Sequence, residues 1–423
     1  MAERSGDEPS GRGRVDTARA VAGLKEIRRL TEDGDGAQRV AWTDTWIIAR
    51  DWLAGQLAEI DGVTVERDAA GNTWATAPGA DERFVIVGGH LDSVPNGGWL
   101  DGALNVVAGL EVLRALAPEE RPFTLKLVDW ADEEGARFGR SLLGSSAAAG
   151  TLDPEAVRGL TDRDGTALPD ALAAHDVDLD TMRDAGAALE GALAYLELHI
   201  EQGPVLEQLD KPLGAVLGTF GVQRHKVVFT GAHAHAGASP MHLRKDAFLA
   251  AARSALAWRD DAAARDDVRA TTGVVKVTPG IVTAFNGTCE VSLDQRSLDA
   301  GVLADMLATA REASERIAAE EGCTVSWEQI WEIEPILFDD GLIDLADAAI
   351  QEVAGTSERL PSGPLHDAAE MARVMPTVMV FVKSLGGVSH TKEEDTPDAD
   401  LELSVRALYE LTRRTLAWAE AAG

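Results

Sequence analysis

In the stretch DWADEEGARF, Asp129 to Phe138, three acidic residues, Asp132, Glu133 and Glu134, crowd the end of an apolar run, Phe123 to Val128, that reads as a buried strand. A cluster of this kind is ordinarily a solvated turn. Other chemistry-bearing residues fall at similar places: His90 and Asp92 follow a run in VIVGGHLDSV, Asp101 comes soon after in WLDGALN, His199 closes AYLELHI, and His390 lies in GGVSHTKEED beyond TVMVFV. Parallel strands put their C-terminal ends on one edge of a sheet, where α/β folds assemble their sites. Three imidazoles and two carboxylates gathered there can hold two divalent metals if one carboxylate bridges them, and two metals about 3.5–4 Å apart form a hydrolytic centre. One of the crowded carboxylates is then neutralised by a cation, and its neighbour is left to take a proton from the attacking water. Spacing alone leaves Glu133 and Glu134 interchangeable, and leaves Asp92 open between a turn cap and a partner for His90. Every donor is nitrogen or oxygen, which favours zinc first and admits manganese, cobalt or nickel.

The elements that must position these groups follow an α/β rhythm. RFVIVGG, FTLKLVDW, AYLELHI and TVMVFV are strand-like, and NVVAGLEVLRALA and SSAAAG between them are helical in pattern. The fold class is therefore α/β: a main domain with a mostly parallel mixed sheet flanked by helices. From about Gly214 to Trp331 the pattern changes to an α+β sandwich, after which α/β patterning returns. This predicts a tail over residues 1–15, a discontinuous catalytic domain over 16–213 and 332–423, and an inserted domain over 214–331. The Asp/Ala-rich stretch Leu168 to Leu193 reads as a helical excursion.

Composition narrows the function classes. The 423 residues carry a formal net charge of -32, a field that repels phosphate and argues against nucleic acid or an anionic membrane as partner. Two cysteines, Cys289 and Cys323, without CxxC spacing make neither a disulfide framework nor a thiolate metal site, so a cytoplasmic setting is expected. The polar N-terminus MAERSGDEPSGRGR reads as a disordered tail with no signal or anchor.

The ordered motifs GGHLDSVPNGGWLDGALN, DEEGARF, LELHIEQGPVLE, AHAGASPM and GVSHTKEED resemble those of the aminoacylase-type dinuclear metallohydrolases, from about Val21 to Trp418. Within that family they are most similar to the branch of N-carbamoyl-L-amino acid hydrolases, bacterial β-ureidopropionases and allantoate amidohydrolases. The resemblance implies that His90 and His199 bind one metal, Glu134 and His390 the other, and Asp101 bridges them, with Glu133 as general base. It makes Asp92 the group behind His90 that fixes the imidazole tautomer. In the inserted domain it assigns oxyanion stabilisation to His235, acting on the partner subunit's site, and hence a homodimer formed through that domain. Arg296 matches the arginine that binds a substrate carboxylate, a role suited to its two-pronged guanidinium. Gln202, Gln223, Arg224 and His366 fall on motifs near the substrate, whereas His175, His225 and His242 match nothing catalytic.

The chain departs from the family pattern twice. Thr283 stands where an asparagine ahead of a Pro-Gly turn is usual, and Thr391 and Lys392 replace an Asn-Pro pair after His390. The implied activity is metal-dependent hydrolysis of the carbamoyl C–N bond of a small carboxylate-bearing ureido substrate such as an N-carbamoyl-L-amino acid or N-carbamoyl-β-alanine. Allantoate hydrolysis, an aminoacylase or dipeptidase acting on N-acyl amino acids, and a non-catalytic binding protein are the competing readings.

Overall fold

The computed structural model describes residues 15–422. Most of the tail expected over 1–15 lies outside them. The chain divides into two compact units, one built from residues up to Leu217 and from Phe338 onward, the other from Gly218 to Leu337. The inserted domain expected over 214–331 starts within the strand Leu213–Thr219 and stops within Thr324–Ile333, whereas the second unit runs on to Leu337.

The first unit is a mixed α/β structure. Its sheet runs in the order Leu213–Thr219, Thr377–Val382, Ala192–Ile200, Asp81–His90, Phe123–Trp130, Thr73–Ala77, Thr64–Arg67, with Arg359–Ser362 also paired to the first of these. The four strands from Thr377–Val382 to Phe123–Trp130 are parallel to their neighbours within that group, and the outer pairings are antiparallel. The parallel strands are nearly continuous apolar runs, as burial on both faces demands; all six residues of Thr377–Val382 are buried. Helices Ala103–Ala115, Asp340–Ala354 and Asp398–Ala422 pack against this sheet. All but Arg114 of the thirteen residues of Ala103–Ala115 are buried, so this helix is enclosed rather than amphipathic.

The register aligns the strand ends. His90 pairs with Trp130, and Phe381 pairs with His199. The residues that run off these ends therefore start from one edge. The stretch expected to be a helical excursion, Leu168 to Leu193, is instead a short helix, Leu168–Ala173, and a 3-10 segment, Met182–Leu189. Asp176, at φ 62, interrupts any continuous helix between them.

The second unit is a five-stranded antiparallel sheet with two helices, Ala247–Ala263 and Ala300–Glu320, packed on it. Thr288–Ser297 alternates half-buried and buried along its whole length, the pattern of a strand with one covered face. Among the described residues no helix is long and apolar enough to cross a membrane.

Candidate metal centre

At the shared strand edge, two trios of potential ligands meet on one carboxylate. His90, Asp101 and His199 form one, and Asp101, Glu134 and His390 the other. Oδ1 of Asp101 lies 3.1 Å from Nε2 of His199 and 3.7 Å from Nε2 of His90. Its Oδ2 lies 3.3 Å from Nε2 of His390, which is in turn 3.4 Å from Oε2 of Glu134. Glu133 approaches the first trio, with Oε2 at 3.7 Å from Nε2 of His90.

Backbone geometry sets the orientation of the imidazoles. Nδ1 of His90 is 3.1 Å from the carbonyl oxygen of Asp92, and Nδ1 of His199 is 2.9 Å from that of Ile200. A carbonyl only accepts, so each Nδ1 carries the proton and a neutral ring points its Nε2 lone pair at the carboxylates. Nε2 of His90 and Oε1 of Glu134 are buried without hydrogen-bond partners. Lone pairs facing lone pairs in a buried site call for cations between them, and this all-nitrogen and oxygen set fits a pair of divalent metals. Gly102, at φ 66, lets the chain turn directly against the His90 ring; a Cβ there would sit 2.4 Å from ring atoms.

The acid turn after Trp130 is tied down by its backbone. Leu142, Leu143 and Gly144 donate N–H groups to the carbonyls of Glu133, Asp132 and Ala131. The Asp92 carboxylate accepts the N–H of Glu133 at 3.2 Å and of Glu134 at 3.1 Å. Behind Nδ1 of His90 stand both the main-chain carbonyl of Asp92, at 3.1 Å, and its carboxylate, at 3.5 Å. The same carboxylate also holds two adjacent acidic residues in place.

The electrostatics reflect crowding. Burial, and then Asp101, push Glu134 up to about 8, and burial followed by Asp92 pushes Asp132 up to about 7. Burial also drives Glu133 well above the usual carboxylate range, with Asp367, Glu134 and Asp92 adding to it against the pull of His90. The hydrogen bond with Asp101 raises His390 to about 9. Burial opposes a charge on His90, yet Glu133, Asp92 and Asp101 hold it well above the ordinary imidazole value, so without a metal Nε2 takes up a proton that a bound cation would displace. Asp101 stays well below the usual range because its bonds to His199 and His390 outweigh burial.

The remaining expected residues are distributed as follows. Nε2 of Gln202 donates to Oδ2 of Asp101, at 2.8 Å, and to Oγ of Ser389, at 3.1 Å, which braces the centre, while its Oε1 has no hydrogen-bond partner. His366 is buried with its ring 4.3 Å from that of His199, and burial together with His199 keeps it neutral. In the second unit, His235 accepts the N–H groups of Gly237 and Ala238 on Nδ1, at 3.1 and 3.2 Å, which leaves the proton of the neutral ring on Nε2. Arg224 and Arg296 both bind the Asp294 carboxylate, and Gln223 donates to Glu332.

Several residues at the centre have no signal in the sequence. Arg39 is fully buried and donates Nε to the carbonyl of Leu91 at 2.7 Å. Asp367 is buried within the electrostatic reach of Glu133. Arg50 pairs with Asp129 at 2.6 Å, and Asp129 accepts the N–H of Leu91 at 2.8 Å, directly after His90. Burial alone does not mark such residues in a linear pattern, because each comes from a separate segment.

Residues 86–414 match the model of peptidase family M20/M25/M40. The chain is 35% identical over 401 residues to an N-carbamoyl-L-amino acid amidohydrolase of Geobacillus stearothermophilus, covering 92% of this chain and 97% of that protein. It is 31% identical to an allantoate amidohydrolase of Bacillus subtilis, covering 89% and 92%. A crystal structure of a hydantoinase/carbamoylase family amidase from Burkholderia multivorans superposes with a TM-score of 0.85 at 33% identity, covering 96% and 99%.

Proposed function

The chain belongs to peptidase family M20/M25/M40, and from that premise we propose that it hydrolyses the carbamoyl C–N bond of a small carboxylate-bearing ureido compound, such as an N-carbamoyl-L-amino acid or N-carbamoyl-β-alanine. It is a hydrolase acting on amide C–N bonds. The observation that carries a two-metal hydrolytic mechanism is Asp101, whose two oxygens face two different sets of ligands. The N-carbamoyl-L-amino acid amidohydrolase at 35% identity supports the substrate class.

In this reading His90 and His199 would hold one divalent ion and Glu134 and His390 the other, with Asp101 offering an oxygen to each set. Zinc suits the donor set first, with manganese, cobalt or nickel compatible. When bound, such a pair supplies Lewis-acid polarisation of the substrate carbonyl and eases deprotonation of water. Glu133 takes a proton from the attacking water and returns it to the leaving nitrogen. The Nε2–H of His235 would donate to the oxyanion developing in the partner subunit's site, and the pre-set tautomer of its ring supports that assignment. Arg296 receives the substrate carboxylate. The products are the amine and carbamate, which breaks down to ammonia and carbon dioxide.

The Gly218–Leu337 unit is assigned as a lid and homodimerisation domain. Phe248, Leu256 and Val275 are 41%, 52% and 54% exposed. With their neighbours they line a cleft of about 540 Å³ in this unit, and an apolar surface of that kind supports an interface between copies. Free, buried Cys289 and Cys323 suit a cytoplasmic setting.

The test is ammonia release from a panel of N-carbamoyl-L-amino acids, N-carbamoyl-β-alanine, allantoate and N-acetyl amino acids, with chelated and metal-reconstituted protein. Metal-dependent ammonia from a ureido amino acid is the expected result. Release from allantoate alone would move the substrate to that ureide. Silence on every ureido compound with activity on N-acetyl substrates would replace the proposal with an aminoacylase.

A further inference from the structure

The loop after His390 carries a second carboxylate that no ligand role accounts for. Glu394 is 1% exposed. Its Oε1 accepts the main-chain N–H groups of Leu100, at 3.2 Å, and Asp101, at 3.1 Å. Its Oε2 accepts the hydroxyl of Ser389 at 2.8 Å. The other face of that hydroxyl accepts from the Gln202 amide at 3.1 Å, and the same amide donates to Oδ2 of Asp101 at 2.8 Å. The carboxylate thus closes a circuit around Asp101, holding its backbone on one side and its side-chain oxygen, through Ser389 and Gln202, on the other.

The socket is built for it. Gly98 lies under the Glu394 carboxyl so closely that a Cβ would fall 2.0 Å from Cδ and from Oε1. Only glycine leaves this space, although Gly98 itself has no positive φ. Two segments far apart in the chain, the turn 98–101 and the loop 389–394, meet through this one group, and each delivers a residue to the centre: Asp101 from the first and His390 from the second.

We infer that Glu394 is a positioning residue for the metal centre, clamping Asp101 and the His390 loop in the relative placement that the Asp101–Glu134–His390 trio requires. This rests on the reading of Asp101 and His390 as ligands. The two N–H groups need an acceptor, not a charge, so an amide oxygen at this position serves them as well. The Ser389 hydroxyl can reverse and accept from the amide nitrogen. The clamp is therefore geometric: Glu394→Gln retains it, and Glu394→Ala removes it. Gly98→Ala removes it by another route, because the added methyl displaces the far end of a flexible side chain and leaves Glu394 in the protein.

The experiment is competition dialysis of the metal-free protein against buffered zinc, reading the stoichiometry and the affinity of each of two sites, with circular dichroism to select folded protein. Glu394→Ala and Gly98→Ala are each expected to weaken the second zinc by about 10- to 100-fold, the usual effect of removing a partner that orients a ligand. Glu394→Gln should stay within about threefold of the parent, and the double variant should be no worse than either single one. If the parent binds fewer than two zinc ions, the underlying reading of the ligands fails. If the parent binds two, and folded Gly98→Ala binds both as tightly as the parent does, the clamp is wrong. Should Glu394→Ala not fold, Gly98→Ala and Glu394→Gln decide the matter alone; an equal loss in both of those would also overturn it.

Discussion

The carboxylate of Asp92 accepts the main-chain N–H of Glu133 at 3.2 Å. Asp92 stands two residues past His90, so one short segment both delivers a proposed ligand and fixes the backbone of the proposed base. Its other oxygen takes the N–H of Glu134 at 3.1 Å. Asp92→Asn turns one acceptor into a donor facing an N–H, which leaves that buried group unpaired at a cost of about 1–3 kcal/mol. Thermal melts should record that loss, and kcat should fall by about 10- to 100-fold with little change in KM.

Glu133→Gln removes the proposed base and keeps the side-chain volume. Activity should drop by about 100- to 10,000-fold, the range for loss of a general acid–base group. Metal content, read by elemental analysis, should remain that of the parent. Loss of metal together with activity would instead make Glu133 a ligand.

Asp101→Ala takes a member from both trios at once. Zinc binding should fall at both sites, whereas His390→Ala should weaken only the second. Titration of metal-free protein with zinc separates the two patterns.

Metal-free protein should lose stability as pH rises from about 6 to 9. Glu134 at about 8, Asp132 at about 7 and Glu394 at about 7 are all raised above ordinary carboxyl values, chiefly by burial. His390, at about 9, is raised by its bond to Asp101. Each of these groups holds its proton more tightly folded than unfolded, so the folded form binds more protons and is favoured at the lower pH. The buried, neutral His366 acts in the opposite sense, through pH 6.5 and below. Added zinc should restore the melting temperature most strongly at the upper end, because its ligands must shed protons to bind it. A metal-free melting temperature that rises over this window would contradict the assignment.

Arg50→Ala should destabilise the protein by about 3–5 kcal/mol, since it leaves the buried Asp129 charge without its partner. The guanidinium also lies 3.8 Å from the centre of the Trp46 ring, so the variant loses packing as well. Urea unfolding of metal-free protein measures this, and a change under 1 kcal/mol would show that Asp129 sheds its charge instead.

The sequence by itself determined where the chemistry would start. Apolar runs doubly buried in a parallel sheet leave the first polar residue past each strand with one place to go, and His90, the Asp132–Glu134 turn, His199 and the loop to His390 all begin at that edge. This logic is local, because it depends only on strand pattern and direction. The order of roles between Glu133 and Glu134 came from motif resemblance alone. Tertiary structure decided what surrounds these residues. Which oxygen of Asp101 faces which imidazole, the reach of the Asp92 carboxylate to two backbone N–H groups, and the bracing by Gln202 depend on distances of a few tenths of an ångström between segments with no periodic relation. Arg39, Gly98 and Glu394 share no spacing that a linear reading could detect. They are joined because buried donors and acceptors must find partners wherever the folded chain brings them, and that condition applies only after the core has closed.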